Sequence, residues 1–245
     1  MLTDKVVVIT GGGTGIGRAC ALRLAKEGAN IVINYSRSKD DAEATQKDVE
    51  ALGREAMVFQ ASVTDDDAVR EMMQATQDRF GGIDVLINNA GMTHFVDLAD
   101  LEGMKDEFWV DIMDVNVVGL FRCSRAAAPA LKESKGCIVN TTSVAGFTGM
   151  GSSVAYAASK AAAISVTKSL ARVLAPEVRV NGVAPGVVNT RWVADHQEHV
   201  EKYGDDTPLG RVATTEDVAE VVYSFVDNAS CVTGQTLMVD GGMFM

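Results

Sequence analysis

A tyrosine and a lysine four residues apart, Tyr156 and Lys160, are the residues best suited to chemistry in this chain of 245 residues. They lie in the segment YAASKAAAISVTKSLARVL, which predicts a helix, and a spacing of four places both side chains on one helix face. A phenol has an ordinary pKa of about 10, and a neighbouring ammonium group lowers that pKa, so this tyrosine is expected to exchange a proton near neutral pH. Ser143 ends the apolar run CIVNTT, which predicts a strand, and its hydroxyl can hold a carbonyl or alcohol oxygen beside the phenol.

A glycine-rich turn near the N-terminus indicates an anion site. Residues 5–10 form an apolar run that predicts a buried strand, and residues 18–28 have apolar side chains at helical spacing, so the turn leads into a helix N-terminus. Free backbone N–H groups and the helix dipole point at such a turn, and glycines let a pyrophosphate approach the backbone closely. The spacing is T-G-x-x-x-G-x-G, with Gly11, Gly15 and Gly17, and it fits neither G-x-G-x-x-G nor a Walker A loop.

Together these residues resemble the classical short-chain dehydrogenase/reductase family, and the resemblance covers nearly the whole chain. Residues 88–91 read N-N-A-G after an apolar run, as the family's sequence does after its fourth strand. Pro185 and Gly186 with Thr190 match the P-G-x-x-x-T stretch that covers the nicotinamide in the family. The serine, tyrosine and lysine keep the family's mutual spacing, and the ending GQTLMVDGGM is similar to its last strand and C-terminal segment.

The resemblance implies a role for each site residue. Tyr156 would be the acid/base that exchanges a proton with the substrate oxygen, Lys160 would lower its pKa and hold the nicotinamide ribose, and Ser143 would orient the substrate oxygen. Asn116 matches the family's fourth catalytic residue, which holds a water in a proton relay, although from the residues alone it reads as a buried amide that only completes hydrogen bonds. The cofactor-binding residues implied are Gly11, Thr14, Gly15, Ile16, Gly17, Ser36, Arg37, Ser62, Val63, Asn89, Ala90, Gly91, Tyr156, Lys160, Pro185, Gly186, Val188 and Thr190.

The residues after the second predicted strand favour NADP(H) over NAD(H). NAD-dependent members have a carboxylate there for the ribose hydroxyls, whereas this chain has Tyr35 and no acid before Asp40. A missing carboxylate removes repulsion of a 2′-phosphate, and Arg37 can pair with one. Two departures from the family's pattern leave NAD(H) open. Thr14 stands where many NADP-dependent members have a basic residue, and Ser62 stands where an acid usually lies near the adenine.

Apolar runs that alternate with amphipathic stretches predict a single α/β domain over residues 1–245. The expected fold is a Rossmann-type, doubly wound parallel sheet of about seven strands with helices on both faces. The predicted strands are residues 6–10, 31–35, 56–60, 85–88, 137–141, 179–184 and 236–239, and the predicted helices are 15–28, 39–52, 65–80, 108–133, 153–174 and 216–226. Two long irregular stretches, 92–105 and 187–211, are expected to be functional, the second as the substrate loop.

Composition and charge exclude several classes of function. Hydrophobic residues make up 47% of the chain, enough for a sizeable core, and the formal net charge of −11 argues against binding to nucleic acid or to an anionic membrane surface. No apolar run is long enough to span a membrane, and the first predicted strand begins too early to leave room for a signal peptide. The four cysteines lack C-x-x-C spacing and are expected to be buried free thiols, so a cytoplasmic protein is expected.

No metal site is expected. His196 and His199 lie beside Glu198 and Glu201 in the predicted substrate loop, but the spacing fixes no third ligand. A solvated polar helix is therefore the preferred interpretation of this segment. Met150, where the family lines its substrate pocket, is expected either in the core or at the cleft.

Three functions remain open at this stage. The first is hydride transfer between NAD(P)(H) and a small free alcohol or ketone. The second is a 3-oxoacyl-acyl-carrier-protein reductase of fatty-acid synthesis, since the C-terminal strand and the Y-A-A-S-K-A helix look much like that subfamily. The third is a catalytically silent dinucleotide-binding regulator, which has no physical need for the complete set Asn116, Ser143, Tyr156 and Lys160. The net charge of −11 disfavours an acidic carrier protein, so the first function is preferred.

A homotetramer is the expected assembly. Members of the resembled family are commonly tetramers, paired through the helices that carry Asn116 and Tyr156 and through the C-terminal strand. Residues 239–245 are apolar apart from Asp240 and the glycines, and an apolar tail is more stable buried than in water.

Overall fold

The computed structural model describes residues 2–190, 203 and 205–245, and within them seven parallel strands form one sheet in the order β3-β2-β1-β4-β5-β6-β7. The strands are β1 (Val6–Ile9), β2 (Asn30–Tyr35), β3 (Ala56–Gln60), β4 (Val85–Asn88), β5 (Cys137–Thr141), β6 (Arg179–Pro185) and β7 (Thr236–Val239). Each predicted strand is present to within one residue at either end. The predicted parallel α/β fold is therefore confirmed.

The described helices include two features that hydrophobic periodicity does not reveal. The helices are α1 (Gly15–Lys26), α2 (Lys39–Ala51), α3 (Asp66–Phe80), α4 (Asp106–Met113), α5 (Leu120–Ser134), α6 (Ala145–Thr148), α7 (Val154–Leu174) and α8 (Thr215–Tyr223). The predicted helix over residues 108–133 is present without a break in the helical backbone, but its middle, Asp114–Gly119, is a π-helical segment that separates α4 from α5. A second π-helical segment, Ser224–Asn228, continues α8. The unpredicted α6 has four residues, too few to give a periodic pattern.

The two faces of the sheet are buried under separate helix layers. Neighbouring residues of a strand point to opposite faces, so Val7 and Ile9 pack with α1, α2 and α8, whereas Val8 packs with α3, α5 and α7. Strands that are apolar on both faces require this double cover, which makes the sheet doubly wound as predicted. None of the helices within the described residues has the length and apolarity needed to cross a membrane.

The cysteines agree only in part with their prediction. Cys20, Cys123 and Cys137 are buried free thiols, as expected, and burial raises the pKa of the first two to about 12 and that of the third to about 11. The prediction is wrong for Cys231, which is exposed. It lies in the turn before β7, outside any periodic segment, so no pattern marks its environment.

The strand order places one edge of the sheet where a ligand can bind. β1 lies between β2 on one side and β4 on the other, so the chain changes direction across the sheet at β1. In such sheets, ligands bind beyond the carboxyl ends of the strands at this switch point. The glycine-rich turn follows β1, and Asn89 follows β4, so both lie at that point.

Candidate active site

A cleft with a volume of about 1370 Å³ runs along the carboxyl edge of the sheet. Typical small-molecule pockets have volumes of about 300–1,000 Å³, so this cleft has room for a dinucleotide and a small second molecule. Its wall includes residues that follow each of the strands, namely Gly11, Ser36, Ala61, Asn89, Thr142, Gly186 and Asp240.

The glycine-rich turn forms one end of the cleft. Gly11 and Gly15 have φ angles of +62° and +52°, which side chains other than glycine rarely adopt. A Cβ atom at Gly17 would collide with the carbonyl oxygen of Gly11 and would lie 2.7 Å from the side-chain nitrogen of Asn89. Gly17 does not line the cleft. The missing side chain of Gly17 lets the turn close over the start of α1, and its predicted cofactor role stays a prediction.

The first turn of α1 is open to the cleft. Thr14 is the N-cap residue, but its side chain makes no capping hydrogen bond, and no acidic residue lies in the first turn. Thr14, Gly15 and Ile16 all line the cleft. The positive end of the helix dipole therefore faces the cleft, an arrangement that binds phosphate groups.

Two asparagines hold the glycine-rich turn in place. Asn89 donates its side-chain amide to the carbonyl oxygens of Thr10 (3.2 Å) and Gly11 (3.1 Å). The buried Asn34 accepts from the backbone N–H of Gly11 (3.3 Å) and donates to the carbonyl oxygen of Ala61 (2.9 Å). Asn34 is a site residue that sequence reasoning missed, although an amide in the otherwise apolar run IVINY was the available signal.

The residues after β2 form the wall next to this turn. The side chain of Tyr35, at the position predicted to replace an acid, is 8% exposed and belongs to the core. Ser36 and Arg37 are the first exposed residues after β2, and both line the cleft together with Ser62 and Val63. The acidic residues of the described wall, Asp97 and Asp240, belong to other segments.

The predicted serine, tyrosine and lysine lie together in the middle of the cleft wall. Lys160 Nζ lies 5.6 Å from the ring centroid of Tyr156, and a hydrogen bond joins the side chains of Ser143 and Tyr156. Ser153, the N-cap of α7, accepts from the backbone N–H of Tyr156 (3.2 Å), which fixes the tyrosine in the first helical turn. Lys160 Nζ donates to the carbonyl oxygen of Thr141 at the end of β5 (2.9 Å).

Burial sets the protonation of this cluster. Removal from water raises the pKa of Tyr156 to about 12, although its hydrogen bond with Ser143 acts in the opposite direction. Burial lowers the pKa of Lys160 to about 8. The Tyr156 pKa is therefore set by burial and by Ser143 and lies above its ordinary value, whereas the sequence predicts a lowering by Lys160. At neutral pH, Tyr156 is a neutral phenol that can donate a proton.

Asn116 lies behind the cleft rather than in its wall. It is 2% exposed, within the π-helical segment, and its side chain accepts from the N–H of Met92 (2.8 Å). The same side chain donates to the carbonyl oxygen of Met92 (3.0 Å) and to Ser159 Oγ (2.9 Å), which itself donates to the carbonyl oxygen of Tyr156 (2.7 Å). The described geometry is that of a satisfied buried amide that ties the segment after β4 to α7.

The residues after β6 pass across the cleft. Ser143 Oγ and the N–H of Val144 both donate to the carbonyl oxygen of Pro185, at 3.5 Å and 3.1 Å. Thr190 lies against the glycine-rich turn, since a Cβ at Gly15 would be 3.6 Å from Thr190 Cγ2. The predicted residues in this part of the wall are Pro185, Gly186, Val188 and Thr190, and all of them line the cleft.

Part of the predicted substrate loop and its histidines lie outside the described residues. This applies to residues 191–202 and 204, including His196 and His199. Within the described residues, no group of three or more His, Cys, Asp or Glu side chains could hold a metal ion.

The far end of the cleft is apolar, and sequence reasoning identified it only in part. Its side chains come from three irregular segments and are Met92, Phe95, Leu98, Met150, Met243 and Phe244. Met150 is expected from the sequence in the core or at the cleft, whereas Phe95, Leu98 and Phe244 were missed. The available signal was the presence of large apolar residues within segments that no periodic pattern assigns to the core.

Comparisons with known proteins agree with this geometry. The family described as enoyl-(acyl carrier protein) reductase matches residues 11–244. The chain is 40% identical to the 3-oxoacyl-[acyl-carrier-protein] reductase FabG of Staphylococcus aureus over 251 aligned positions, which cover 100% of both chains. It is 40% identical to the 3-oxoacyl-[acyl-carrier-protein] reductase of Synechocystis sp., with 100% of this chain and 98% of that protein covered. The solved structure of a short-chain type dehydrogenase/reductase from Mycobacterium marinum matches with a TM-score of 0.92 at 32% identity, and covers 99% of this chain and 96% of that one.

Proposed function

Since the chain belongs to the short-chain dehydrogenase/reductase family and is an NAD(P)-dependent oxidoreductase of CH–OH and keto groups, we propose that it reduces a small free ketone with NADPH, with Tyr156 as the acid. One observation carries the proposal: Ser143, Tyr156 and Lys160 lie together in a cleft that is also lined by the uncapped N-terminus of α1. The complete cluster also argues against a catalytically silent regulator.

The residues at the glycine-rich end fit a dinucleotide. The backbone of the turn and the first turn of α1 would hold the pyrophosphate, because their N–H groups face the cleft without a capping side chain. Lys160 would hold the nicotinamide ribose, and Arg37 would pair with the 2′-phosphate of NADP(H). When bound, the nicotinamide supplies or accepts the hydride. The absence of an acid from the described wall next to Arg37 supports NADP(H) over NAD(H).

Side chains of the protein would carry out the proton transfer to the substrate oxygen. Ser143 would position the substrate oxygen beside Tyr156, and the phenol would donate its proton to that oxygen in the reductive direction. The same group would take the proton back in oxidation, but a pKa of about 12 keeps it neutral at physiological pH. A phenol that is protonated in the free enzyme can act as the acid when a ketone is reduced.

A carrier-protein substrate is the second candidate, favoured by the names of the relatives that are 40% identical to this chain. A carrier protein is strongly acidic and requires a basic docking surface beside the cleft. The exposed end of α5 carries Lys132, Glu133 and Lys135, and the end of α7 carries Arg172 followed by Glu177. This mixed charge, with a net charge of −11, supports a free substrate instead.

The exposed apolar side chains support the proposed homotetramer. Val110, Val118 and Phe121 are exposed on α4, the π-helical segment and α5, and Val173 is exposed on the neighbouring α7. Leu237 and Met238 are exposed on β7, at the edge of the sheet. Light scattering at micromolar concentration is expected to give four times the chain mass of 25.9 kDa, and a monomer mass contradicts the assembly. A cytoplasmic location remains part of this proposal.

A substrate screen tests the proposed function. Purified protein is incubated with panels of ketones and secondary alcohols and with NADPH or NADH, and the nicotinamide absorbance is followed. We expect ketone-dependent oxidation of NADPH at a rate higher than that with NADH. Protein that binds either cofactor yet turns over no carbonyl or alcohol would fit the silent regulator instead.

A further inference from the structure

The C-terminal turn, residues 240–244, is held by the side chain of Asp240. One carboxylate oxygen accepts from the backbone N–H of Gly242 (2.9 Å), and the other accepts from that of Phe244 (3.0 Å). Both oxygens are therefore used within the turn. They orient the two apolar residues at its end, Met243 and Phe244, which line the cleft.

The turn packs directly behind the catalytic part of the wall. The backbone N–H of Gly186 donates to the carbonyl oxygen of Val239 (3.0 Å), and a Cβ at Gly186 would lie 2.9 Å from the Cβ of Asp240. The preceding residue, Pro185, accepts from Ser143 Oγ at 3.5 Å. Asp240 is thus separated from the catalytic serine by only two residues, Pro185 and Gly186.

The other side of the turn packs against the end of the predicted substrate loop. The N–H of Leu209 donates to the carbonyl oxygen of Gly241 (3.1 Å). Gly241 and Gly242 have φ angles of +68° and +87°, and a Cβ at Gly242 would lie 3.2 Å from Pro208 Cγ. Close contact on both sides gives the turn one defined position in the cleft wall.

The wall around this turn is apolar and, where charged, acidic. Phe95 is 55% exposed and Met150 is 50% exposed, so large apolar side chains reach solvent at the cleft mouth. Exposed apolar surface of this kind marks a binding groove. In the described wall, the charged residues outside the glycine-rich end and the catalytic cluster are Asp97 and Asp240, both of which repel an anionic substrate.

We propose that residues 240–244 are the specificity-determining wall of the substrate site and that they select uncharged ketones with an apolar body. Phe244 and Met243 contact that body, and Asp240 is a positioning residue that acts through them. This inference rests on the proposed function. It adds the class of substrate and the segment of the chain that selects it.

The test compares chain-length dependence among variants. The kcat and KM of the wild-type enzyme are measured with NADPH for linear 2-ketones from butanone to 2-octanone, and for 2-ketones of matched length that end in a carboxylate. We expect kcat/KM to rise about fourfold per added methylene, which corresponds to the transfer of one CH₂ group from water. The carboxylate series is expected to react at least tenfold more slowly at each length.

Two variants localise the effect. In Phe244→Ala, KM for 2-octanone is expected to rise about tenfold and the dependence of kcat/KM on chain length to flatten. Asp240→Asn loses one of the two acceptors and is expected to raise KM for 2-octanone more than KM for butanone. In the double variant, Asp240→Asn is expected to raise KM for 2-octanone by a smaller factor than it does in the wild-type background, because part of its effect passes through Phe244. Leu52→Ala is the control, since Leu52 is 39% exposed and does not line the cleft.

Several results would overturn the inference. If the dependence of kcat/KM on chain length is unchanged in Phe244→Ala, residues 240–244 are not the specificity-determining wall. If Asp240→Asn raises KM for 2-octanone by the same factor in the double variant as in the wild-type background, Asp240 does not act through Phe244. Preferred turnover of the carboxylate series refutes the substrate class but leaves the proposed ketone reductase intact. If no ketone is reduced with either cofactor, the proposed function and the inference both fail.

Discussion

The two ends of the cleft are built in different ways. At the glycine-rich end, where we propose that the cofactor binds, the backbone forms the surface. The N–H of Gly11 donates to Asn34, and Asn89 donates to the carbonyl oxygen of Thr10. Thr10 Oγ1 accepts from the N–H groups of Asn89 (2.9 Å) and Ala90 (3.0 Å). At the substrate end, the surface consists of apolar side chains from irregular segments. A surface made of backbone tolerates few substitutions, whereas a surface made of side chains can change residue by residue.

This difference predicts how substitutions act at each place. The cofactor end and the catalytic cluster depend on single groups with defined protons or charges, so their loss has large, discrete effects. The substrate end depends on contact area, so changes there alter affinity gradually. The following predictions test this contrast, beginning with the largest effect.

Replacement of the catalytic phenol is expected to have the largest effect. Tyr156→Phe keeps the ring and its packing but removes the exchangeable proton, and we expect kcat to fall by about 10²–10⁴-fold. Cofactor affinity, measured by fluorescence titration, is expected to be retained. Tyr223→Phe is the matched control, because that hydroxyl donates to Asp227 on the surface of the α8 region and does not line the cleft. Turnover close to that of the wild-type enzyme in Tyr156→Phe would rule out its assignment as the acid.

A substitution at Arg37 tests whether its positive charge distinguishes NADPH from NADH at the glycine-rich end of the cleft. If its guanidinium pairs with the 2′-phosphate, Arg37→Ala is expected to weaken NADPH binding by about 10- to 150-fold, the range of a charge-assisted contact, and to leave NADH binding unchanged. Arg70→Ala is the control, since Arg70 is an exposed arginine that pairs with Asp66 on α3. Equal losses for both cofactors would mean that Arg37 is only a loop charge.

The buried lysine gives a smaller, pH-dependent effect on stability. Burial lowers the pKa of Lys160 from 10.5 to about 8, so between these values the unfolded chain binds more protons than the folded one. The free energy of unfolding therefore rises with pH in this window, by roughly 2 kcal/mol from pH 8 to pH 10 for this group. Chemical denaturation of the wild-type protein should show this rise relative to Lys160→Met.

Lys168→Met serves as the control for this measurement, because Lys168 is exposed on the same helix. It is expected to follow the wild-type pH dependence. Above pH 10, Tyr156 acts with the opposite sign, since its raised pKa makes the folded state bind more protons than the unfolded one. Identical pH dependence in wild type and Lys160→Met would show that Lys160 titrates normally.

The contrast between the two ends also explains what the sequence could predict. The strands were predicted to within one residue, and the glycine-rich turn was predicted between the first strand and the first helix, because turns of this kind need glycines at fixed spacing. The π-helical segment at Asn116 was missed, since one extra residue in a helical turn leaves a similar hydrophobic pattern. The rise in the Tyr156 pKa was missed because burial depends on packing from distant segments. Phe95 and Phe244 were missed for the same reason: their place in the cleft wall depends on how distant segments pack, and no sequence motif indicates it.

The smallest effect is expected where the two candidate substrates are compared. If the enzyme acts on a free ketone, all of its substrate contacts are with the small molecule itself. A carrier protein attached to the substrate then contributes no binding energy. We therefore expect kcat/KM for acetoacetyl-carrier-protein to be no higher than that for the matching free thioester, with no dependence on salt. Lys132→Glu and Lys135→Glu, which reverse the exposed cations at the end of α5, should leave the ratio unchanged. A docking surface would instead give the protein-bound form the higher kcat/KM, and that advantage would shrink as salt rises, because screening weakens the attraction between the two proteins.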